Sequence, residues 1–592
     1  MKKLSKLAVV CMVICSSVFW SVTCFATILD TKHNLSVSGP ATVKAQTEQQ
    51  VCIFCHTPHN ANPAVPLWNH QVTTATYTMY NSVTMDAPEP AGPGSSALLC
   101  LSCHDGTIAV GSVHAGTITM LGTKTDGTMP DGLSNLGINL GDDHPINIPI
   151  SLSDGQLVSP LPTDPVHLDE EGKVQCISCH DVHDNTYPPF LVKSDLSSDL
   201  RYGGALCLSC HNMRGWEGSA HQEATEAEIT EEGTVASKAC RGCHMVHGSQ
   251  GYGERLLCSE EQACINCHNG VVAQDIGSML NYFSAHPIDL TGLHNPTETW
   301  DLDTQRHAEC WDCHNGHAAG NITYHPSALA GQWGIEPQYF APWTDASSFQ
   351  VISEVTKEYH LCFKCHSSRA YGVNPPVSPS RSMQFSNSDQ PQTNVVRDFN
   401  PGNAAVHSIY QPNPRAGTVG LNGLINGWTW SSILTCSDCH GSANAQDPAG
   451  PHGSSSRFIL KGDWLYLPDE DPTLTGVPGT GDHLCFDCHD YNLYVSGMST
   501  SGTLFIKSSG KNLHALHMNF NKSVERGVIG CSSCHSAVPH GWNKRALIVE
   551  DGDPAPYRQS QYQLKILYWP STPGSWDTDN CNTECHRGYH WG

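Results

Sequence analysis

Val174-Gln-Cys-Ile-Ser-Cys-His-Asp-Val-His183 and Leu206-Cys-Leu-Ser-Cys-His-Asn212 are two closely spaced cysteine motifs near the middle of this 592-residue chain. The pair recurs as Lys238-Ala-Cys-Arg-Gly-Cys-His-Met-Val-His247 and Ala263-Cys-Ile-Asn-Cys-His-Asn269. In both pairs the first motif has a second histidine three residues after its own. Self-similarity of this kind indicates an internal repeat, and its unit is Cys-x-x-Cys-His.

The same motif extends over most of the chain. Eleven regular copies occur, whereas a random shuffle of this composition would contain about 0.08 copies. A twelfth copy, Cys581-Asn-Thr-Glu-Cys585-His586, is stretched by one residue. The cysteines of the regular copies, numbered 1 to 11 in chain order below, are Cys52 and Cys55, Cys100 and Cys103, Cys176 and Cys179, Cys207 and Cys210, Cys240 and Cys243, Cys264 and Cys267, Cys310 and Cys313, Cys362 and Cys365, Cys436 and Cys439, Cys485 and Cys488, and Cys531 and Cys534. Their histidines are His56, His104, His180, His211, His244, His268, His314, His366, His440, His489 and His535.

This motif has a specific chemistry. Its two thiols add to the vinyl groups of a haem, and its histidine becomes an axial ligand of the iron. A zinc site would need two cysteine pairs brought together, and a thioredoxin-type pair occurs once, without an obligatory histidine. Neither alternative accounts for the histidine in every regular copy. The motifs therefore predict twelve covalently attached haems c, of which the twelfth has the least regular site.

Twenty-two histidines lie outside the motifs, enough to give every haem a second histidine. Four follow a motif histidine by three residues: His59, His183, His247 and His317. A histidine at this spacing lies on the same side of a helical turn as the motif histidine. It cannot reach the far face of its own haem, so we expect it to bind a neighbouring iron. A surface or propionate-binding role is the alternative reading.

Local sequence favours three further ligands. His144 and His286 each precede Pro-Ile, and the proline disfavours helix at the histidine. His452 lies in Gly-Pro-His-Gly, which predicts a turn. Two neutral imidazoles favour low-spin iron with a lower potential than His/Met ligation gives. Such an iron has no open position for a substrate.

The remaining candidates have weaker signals. Reserve ligands are His70, His114, His325, His514 and His590. His360 and His483, two residues before a motif cysteine, are interpreted as propionate partners. Cys258 is the one cysteine after residue 26 that lies outside a motif, and it is predicted to be a buried, inert thiol.

Residues 1–26 have the features of a secretory signal peptide, with a basic start, an apolar stretch from Leu7 to Trp20 and small residues before the predicted cleavage point. Acylation of Cys24 is a weaker alternative, because the preceding residues lack the usual lipidation pattern. The formal net charge of −25 makes nucleic acid and anionic membrane surfaces unsuitable partners. No apolar stretch after the signal is long enough to span a bilayer.

Only 39% of the residues are hydrophobic, which is little for an ordinary core in a chain of this size. The predicted fold class is a multihaem cytochrome c, mostly irregular coil with short α-helices and very little β-structure, wrapped round packed haems. Motif spacing predicts an N-terminal dihaem lobe at 27–165, a compact tetrahaem region at 166–295 and a C-terminal hexahaem region at 296–592. Within the last, 371–403 is rich in Pro, Ser and Asn and predicts an extended surface connection.

The paired motifs resemble the multihaem cytochromes with doubled CxxCH motifs that are abundant in metal-reducing bacteria. Val51-Cys-Ile-Phe-Cys-His-Thr-Pro-His59 and Gly450-Pro-His-Gly-Ser454 are matching phrases, and the stretched motif 12 departs from the pattern. The resemblance implies bis-histidine haems that carry electrons in the periplasm, across the outer membrane or outside the cell. It implies other cytochromes, an outer-membrane porin or further copies of the chain as partners. Position between motifs and this resemblance complete the predicted distal ligands with His33, His221, His407, His517 and His540.

Two classes of function remain open at this point. The first is an electron carrier with a continuous chain of haems and no catalytic residues. The second is a multihaem reductase of nitrite, hydroxylamine or a sulfur oxyanion, which would need one iron with an open face. No Cys-x-x-Cys-Lys occurs to mark such an iron. A high-spin haem in electron paramagnetic resonance (EPR) spectra would favour the reductase.

Overall fold

The computed structural model describes most of the chain after the predicted signal peptide. The described residues are 28–59, 61, 66–82, 85–153, 155–194, 204–225, 227–230, 233–249, 255–288, 308–320, 327–371, 394–412, 423–462, 484–496, 503–519, 531–554, 557–558, 564–571, 575–577 and 580–583. The predicted signal, Cys585, His586, and the reserve or propionate candidates His325, His483 and His590 lie outside these ranges. Within them, no helix is both long and apolar enough to cross a membrane.

The helices are short. The α-helices, α1 to α8, are Ser95–His104, Cys176–Cys179, Val235–Lys238, Glu260–Ile265, Cys310–Cys313, Glu358–Cys362, Ser368–Tyr371 and Leu513–Asn519. A π-helix spans Asn492–Ser496. The 3₁₀ turns are Ile28–Asp30, Cys52–Phe54, Cys207–Ser209, Ala239–Gly242, Met279–Asn281, Ser327–Leu329, Cys436–Asp438, Arg457–Ile459, Leu484–Asp487, Cys531–Ser533 and Arg545–Leu547.

The strands are also short, and they pair only in two-stranded antiparallel sheets within the described ranges. The pairs are β1 (Lys44–Ala45) with β4 (Met120–Leu121), β2 (Ser112–Val113) with β3 (Gly116–Thr117), β5 (Ile148–Pro149) with β6 (Lys173–Val174), β7 (Glu228–Thr230) with β8 (Gly233–Thr234), β9 (Ser284–Ala285) with β13 (Gly453–Ser454), β10 (Gly334–Gln338) with β11 (Ser348–Ile352), β12 (Ala405–Val406) with β14 (Gly541–Trp542), and β15 (Leu564–Ile566) with β16 (Cys581–Thr583). The predicted fold class, mostly coil with short helices and little β-structure, is confirmed.

The chain divides into two compact units. Unit 1 contains residues 1–213 and 224–259, and unit 2 contains residues 214–223 and 260–592. Unit 1 therefore holds motifs 1 to 5, and unit 2 holds motifs 6 to 12. The boundary falls inside the region 166–295, which the motif spacing predicts to be one tetrahaem block. The three-part division stays a prediction.

Apolar side chains form only small clusters. Unit 1 has a cluster around Tyr77, Met79, Leu101 and Leu140. The larger cluster of unit 2 is formed by Ile335, Tyr359, Phe363, Val396, Phe399 and Ile409. A second cluster of unit 2 joins Trp542, Val549 and Tyr557. Clusters of this size are consistent with a protein whose core is completed by something other than its own side chains.

The predicted surface connection at 371–403 is wrong for its last ten residues. Residues 394–403 form successive turns in which Val396, Asp398 and Asn400 are buried. Val396 and Phe399 belong to the larger cluster of unit 2. The Pro/Ser/Asn composition of the whole segment concealed these apolar residues at its end. Residues 372–393 lie outside the described ranges.

Candidate haem-binding sites

Each regular motif contains a helical turn. In motifs 1 and 3 to 11, the N–H of the motif histidine donates to the carbonyl oxygen of the first cysteine at 2.8–3.0 Å. In motif 2 the same segment is the end of α1. Some turns begin with a side-chain cap, because Ser178, Asp312 and Asp438 accept from the N–H of the residue before the first cysteine, at 3.0, 3.0 and 2.6 Å. The eleven regular motifs therefore share one local backbone conformation, a helical turn.

Seven motif histidines are also held by a short antiparallel bridge to a segment elsewhere in the chain. At motif 3, the residues on either side of His180 exchange backbone hydrogen bonds of 2.8 and 3.0 Å with the residues on either side of Leu191. The bridged pairs are His56 and Trp68, His180 and Leu191, His211 and Leu157, His244 and Leu256, His440 and Leu460, His489 and Leu424, and His535 and Ile548. The bridge fixes the backbone of the histidine on the side away from the helical turn.

In five of these bridges, a non-glycine residue with positive φ precedes the bridging residue. The five are Leu67, Phe190, Arg255, Ile459 and Leu547, with φ between 54° and 63°. Bulky and β-branched residues rarely adopt this conformation, which costs about 1–3 kcal/mol. At motifs 3, 9 and 11, the carbonyl just before the left-handed residue accepts from Nδ1 of the motif histidine, at 3.1, 3.0 and 2.8 Å. The strained backbone thus turns an acceptor toward the imidazole.

Among the described residues, ten motif histidines lie opposite a histidine from outside their own motif. In every case the ring centres are 6.0–6.5 Å apart. The pairs are His33 and His104, His56 and His183, His144 and His211, His180 and His247, His221 and His268, His286 and His366, His314 and His452, His407 and His489, His440 and His540, and His514 and His535.

This spacing fits a metal ion between the rings. Two imidazole nitrogens bound to opposite sides of an ion, at about 2 Å each, would hold the ring centres about 6 Å apart. The spacing is too long for ring stacking in van der Waals contact. Ten repeats of one distance, in pairs that always include a motif histidine, match what bis-histidine haem iron requires. The residues present therefore fit haem.

Hydrogen bonds orient many of these rings. Nδ1 lies within hydrogen-bonding distance of a backbone carbonyl in His104 (2.6 Å), His144 (3.1 Å), His221 (2.7 Å), His286 (2.7 Å) and His314 (2.9 Å). A carbonyl can only accept, so Nδ1 must carry the proton and Nε2 has the lone pair. This is the usual tautomer of a metal-binding histidine. The carbonyl partners therefore favour ligation through Nε2.

Burial keeps several of these imidazoles neutral. Desolvation lowers the pKa of His144, His440, His452 and His489 to about 4, and that of His514 to about 3. A neighbouring histidine lowers these pKa values further, since two cations would repel each other. A neutral imidazole is the form that binds a metal.

Nine of the twelve predicted distal histidines face a motif histidine: His33, His144, His183, His221, His247, His286, His407, His452 and His540. Two of these nine have the CHxxH spacing, and each faces the histidine of another motif, as expected. His183 of motif 3 faces His56, and His247 of motif 5 faces His180. Their role as iron ligands stays a prediction.

Three predicted distal histidines have other surroundings. His59 is exposed, and its carbonyl accepts from the Thr57 hydroxyl. The ring of His317 packs edge-on against Trp311. The ring of His517 stacks on Phe505 with centres 5.5 Å apart, and its Nδ1 lies 2.7 Å from the Leu513 carbonyl oxygen. The reserve candidate His514, three residues earlier on α8, is the one that faces His535.

Two strand pairs place histidines that face different motifs. His286 follows β9 and His452 precedes β13, and His286 N–H donates to His452 O at 3.2 Å. In the same way His407 follows β12 and His540 precedes β14, and His407 N–H donates to His540 O at 2.9 Å.

Both of these arrangements contain Pro-His-Gly, at 451–453 and 539–541. Sequence reasoning noted the first occurrence and missed that the second repeats it. The glycine is needed because another backbone passes close by. A Cβ on Gly453 would lie 2.0 Å from Met279 O, and one on Gly541 would lie 1.9 Å from Asp398 O.

Attachment cysteines of different motifs also meet. The first cysteines of two motifs are in hydrogen-bonding contact in four cases: Cys100 with Cys176, Cys264 with Cys310, Cys362 with Cys436, and Cys485 with Cys531. In unit 2, Cys313 also lies close enough to Cys362 to interact electrostatically, and Cys439 to Cys488. The haem-attachment points of motifs 6 to 11 therefore follow one another without a break.

Other candidates behave differently from expectation. His360 is not available to a propionate, because its Nε2 pairs with Glu336 at 2.8 Å and its Nδ1 accepts from Thr356 N–H at 3.4 Å. The predicted role of His360 as a propionate partner is therefore wrong. The sequence does not show this contact, because Glu336 lies on β10, distant from His360 in the chain. Among the reserves, His70 is buried and His114 is exposed.

Two cysteines also differ from the regular pattern. Cys258 is half-buried rather than buried, and burial raises the pKa of its thiol. Motif 12 begins on strand β16, paired with β15, and not in a helical turn like the other eleven.

Residues 169–215, which contain motifs 3 and 4, match the family model described as the doubled CXXCH motif. No curated protein matches the chain. The matched segment includes the helical turn of motif 3, its bridge to Leu191 and the CHxxH histidine His183.

Proposed function

We propose that this c-type cytochrome, with haem attached at doubled CxxCH motifs, carries twelve haems and passes electrons between them without transforming a substrate. The observation that carries the proposal is the set of ten histidine pairs with ring centres 6.0–6.5 Å apart. Each pair would supply both axial ligands of one iron. When bound, the haems supply the one-electron redox centres, and the chain supplies their spacing and potentials.

The assignment of ligands follows from the pairs. In each of the ten pairs, the motif histidine and the facing histidine would be the two protein ligands of one iron. Two protein ligands leave no position for a substrate, which supports a carrier over a reductase. We retain His59, His317 and His517 as the predicted ligands from which the irons of motifs 5 and 12 would take their second histidine, and motif 12 as the predicted twelfth attachment site.

The arrangement of the motifs supports a chain of haems inside each unit. In unit 1, His183 links motif 3 to motif 1, His247 links motif 5 to motif 3, and Cys100 meets Cys176. In unit 2, the attachment cysteines of motifs 6 to 11 form an unbroken series. Short peptides therefore anchor two haems at once, which keeps neighbouring redox centres close. On this basis we propose a conducting path through the haems of each unit, and the continuous chain of all twelve haems stays a prediction.

The haem-attachment motifs and the net charge bear on where the protein functions and on its partners. Haem is attached to CxxCH motifs after export, so the chain is an exported protein. We propose the periplasm, the outer membrane or the extracellular space as its location, and electron-transfer proteins or further copies of the chain as partners. The net charge of −25 favours a basic patch on the partner surface.

EPR of the oxidised holoprotein tests the proposal. Twelve bis-histidine irons give only low-spin ferric signals, and the integrated intensity should equal the haem content from a pyridine haemochrome assay. A stoichiometric high-spin signal that disappears on adding nitrite or hydroxylamine would overturn the carrier in favour of a reductase. Material prepared with full haem content is required, because a partly loaded chain would contain misligated iron.

A further inference from the structure

Two distal histidines are paired with a buried or nearly buried carboxylate, whereas other rings are oriented by backbone carbonyls. We infer that Asp398 and Asp143 lower the reduction potentials of the haems at motifs 9 and 3 by accepting a hydrogen bond from Nδ1 of His540 and of His247. The inference rests on the proposed bis-histidine ligation. It adds a property of individual haems that the ligand pairs alone do not specify.

Asp398 is the stronger case. Its side chain is 0% exposed, and its Oδ1 accepts from the Tyr557 hydroxyl at 2.6 Å. Its Oδ2 lies 3.9 Å from Nδ1 of His540, and both of these atoms are buried without a hydrogen-bond partner. Two buried polar atoms that face each other unpaired are costly, and a movement of about 1 Å would join them. The geometry therefore points to a carboxylate–histidine pair behind the iron-binding ring.

The position of this pair is fixed on both sides. Gly541, directly after His540, lies against the backbone of Asp398, so closely that a Cβ would be 1.9 Å from Asp398 O. The ring of Phe399 packs against His540 with centres 4.7 Å apart. The ring centre of the motif 9 histidine, His440, lies 6.1 Å from that of His540. These contacts hold Asp398 beside the proposed ligand His540.

Asp143 forms the corresponding pair in unit 1. Its Oδ1 lies 3.0 Å from Nδ1 of His247, and its side chain is 7% exposed. His247 faces His180, the motif 3 histidine. A third carboxylate, Asp181, lies 3.4 Å from Nδ1 of His183, but these side chains are 52% and 67% exposed. Solvent screens that pair, so it serves as an internal comparison.

The direction of the effect follows from charge. A carboxylate is a stronger acceptor than a neutral carbonyl, so it makes the imidazole a more basic ligand. A more basic ligand stabilises ferric over ferrous iron, and so does the part of the carboxylate charge that Arg397, 3.8 Å from Asp398, and Arg255, near Asp143, do not offset. Both carboxylates are buried, but the side chain of His540 is 24% exposed and that of His247 is 41% exposed, so water weakens the effect more at His247. The haems at motifs 9 and 3 are therefore at the low-potential end of their respective units.

Asp398→Asn and Asp143→Asn test the inference, because asparagine keeps an acceptor oxygen and removes the charge. In a reductive titration of the holoprotein followed at the haem α-band, one-twelfth of the absorbance change should move to higher potential in each variant, and two-twelfths in the double variant. The ferrous-to-ferric ratio of that haem should rise about tenfold at fixed potential, or roughly 59 mV. The EPR g-values of one low-spin haem should change together with the potential.

Three further variants separate this effect from a general loss of charge. Asp447→Asn removes a half-buried carboxylate that accepts hydrogen bonds from Tyr282, Ser442 and Asn444, and it should leave the titration unchanged. Asp181→Asn should shift the potential of the motif 1 haem, which His183 is proposed to bind, by less than Asp398→Asn or Asp143→Asn shifts the potential of its own haem. Tyr557→Phe removes a donor that competes with His540 for Asp398 and leaves Arg397, 3.8 Å from Oδ1, in place; it should move the motif 9 haem to lower potential.

The outcomes distinguish this inference from the proposed function. If all haems are low-spin but neither aspartate variant changes the titration, the inference is overturned and the carrier stands. High-spin iron in the unaltered protein would instead overturn the proposed ligation. If Asp398→Asn does not assemble, Asp143→Asn in the other unit decides the question.

Discussion

His286 and His452 share a backbone hydrogen bond of 3.2 Å, yet their rings face the histidines of two different motifs, His366 and His314. The strand pair β9/β13 holds both residues. His407 and His540 repeat the arrangement on β12/β14 and face His489 and His440. Two-residue strands, too short to form a sheet core, thus position ligands for four of the proposed haems.

The close approach at Gly453 and Gly541 predicts that these glycines cannot be replaced. In Gly541→Ala the new Cβ would lie 1.9 Å from Asp398 O, so β14 must move away from the Asp398 backbone, at about 1–3 kcal/mol. We expect the variant to lose low-spin character at two haems, measured by EPR, and to unfold at lower denaturant concentration. Gly92→Ala, where no atom lies within 4 Å of the new Cβ, is the control. Equal behaviour of the two variants would show that the strand pair does not support the ligands.

Helix α8 carries two histidines whose roles should differ. Because His514 faces His535, His514→Ala should convert the motif 11 haem from low-spin to high-spin without loss of covalent attachment. His517→Ala should leave the motif 11 haem low-spin, because His514 is the ring that faces His535. Magnetic circular dichroism of the two variants distinguishes them. The reverse pattern would contradict the pairing.

His183 is predicted to bind the haem of motif 1, although it follows the histidine of motif 3. His183→Ala should therefore give one high-spin haem out of twelve, and added imidazole should restore the low-spin spectrum by filling the vacant position. His114→Ala, which alters an exposed histidine, is the matched control. No spectral change in His183→Ala would remove the basis for the inter-motif link.

The haem count should be twelve. The intact mass of the mature holoprotein should exceed the polypeptide mass by twelve haems, and Cys581→Ala with Cys585→Ala should reduce the excess by one. Motif 12 begins on a strand, so it is the site where a lower count would arise. An excess of eleven in the unaltered protein would mean that Cys581 and Cys585 remain thiols. Cys258→Ala, outside the motifs, should not change the count.

The sequence predicts the coil-rich fold because CxxCH turns and a low apolar content leave room for little else. It also identifies most histidines that face a motif, since CHxxH spacing and His-Pro constrain the local backbone. His183, His247 and His286 are examples. These signals are local, because each depends only on residues next to the histidine in the sequence.

Other features depend on residues distant in sequence. His514 and His517 lie three residues apart on one helix, so the sequence pattern does not distinguish them. Phe505 contacts both rings, and only the tertiary structure shows that His514 is the one that faces His535. Asp398 lies in a segment whose average composition indicates a surface connection, but its own neighbours bury it. His360 is engaged by Glu336 from β10. These contacts cannot be predicted from the neighbouring residues in the sequence.

The shared hydrogen bond between His286 and His452 has a mechanical consequence. Because this backbone hydrogen bond joins the two residues, thermal motion displaces their imidazole rings together. The gap between the redox centres they support then varies less than the position of either centre. Electron-transfer rates depend on the distance between redox centres. They would therefore be less sensitive to backbone fluctuations in a chain that has little regular secondary structure.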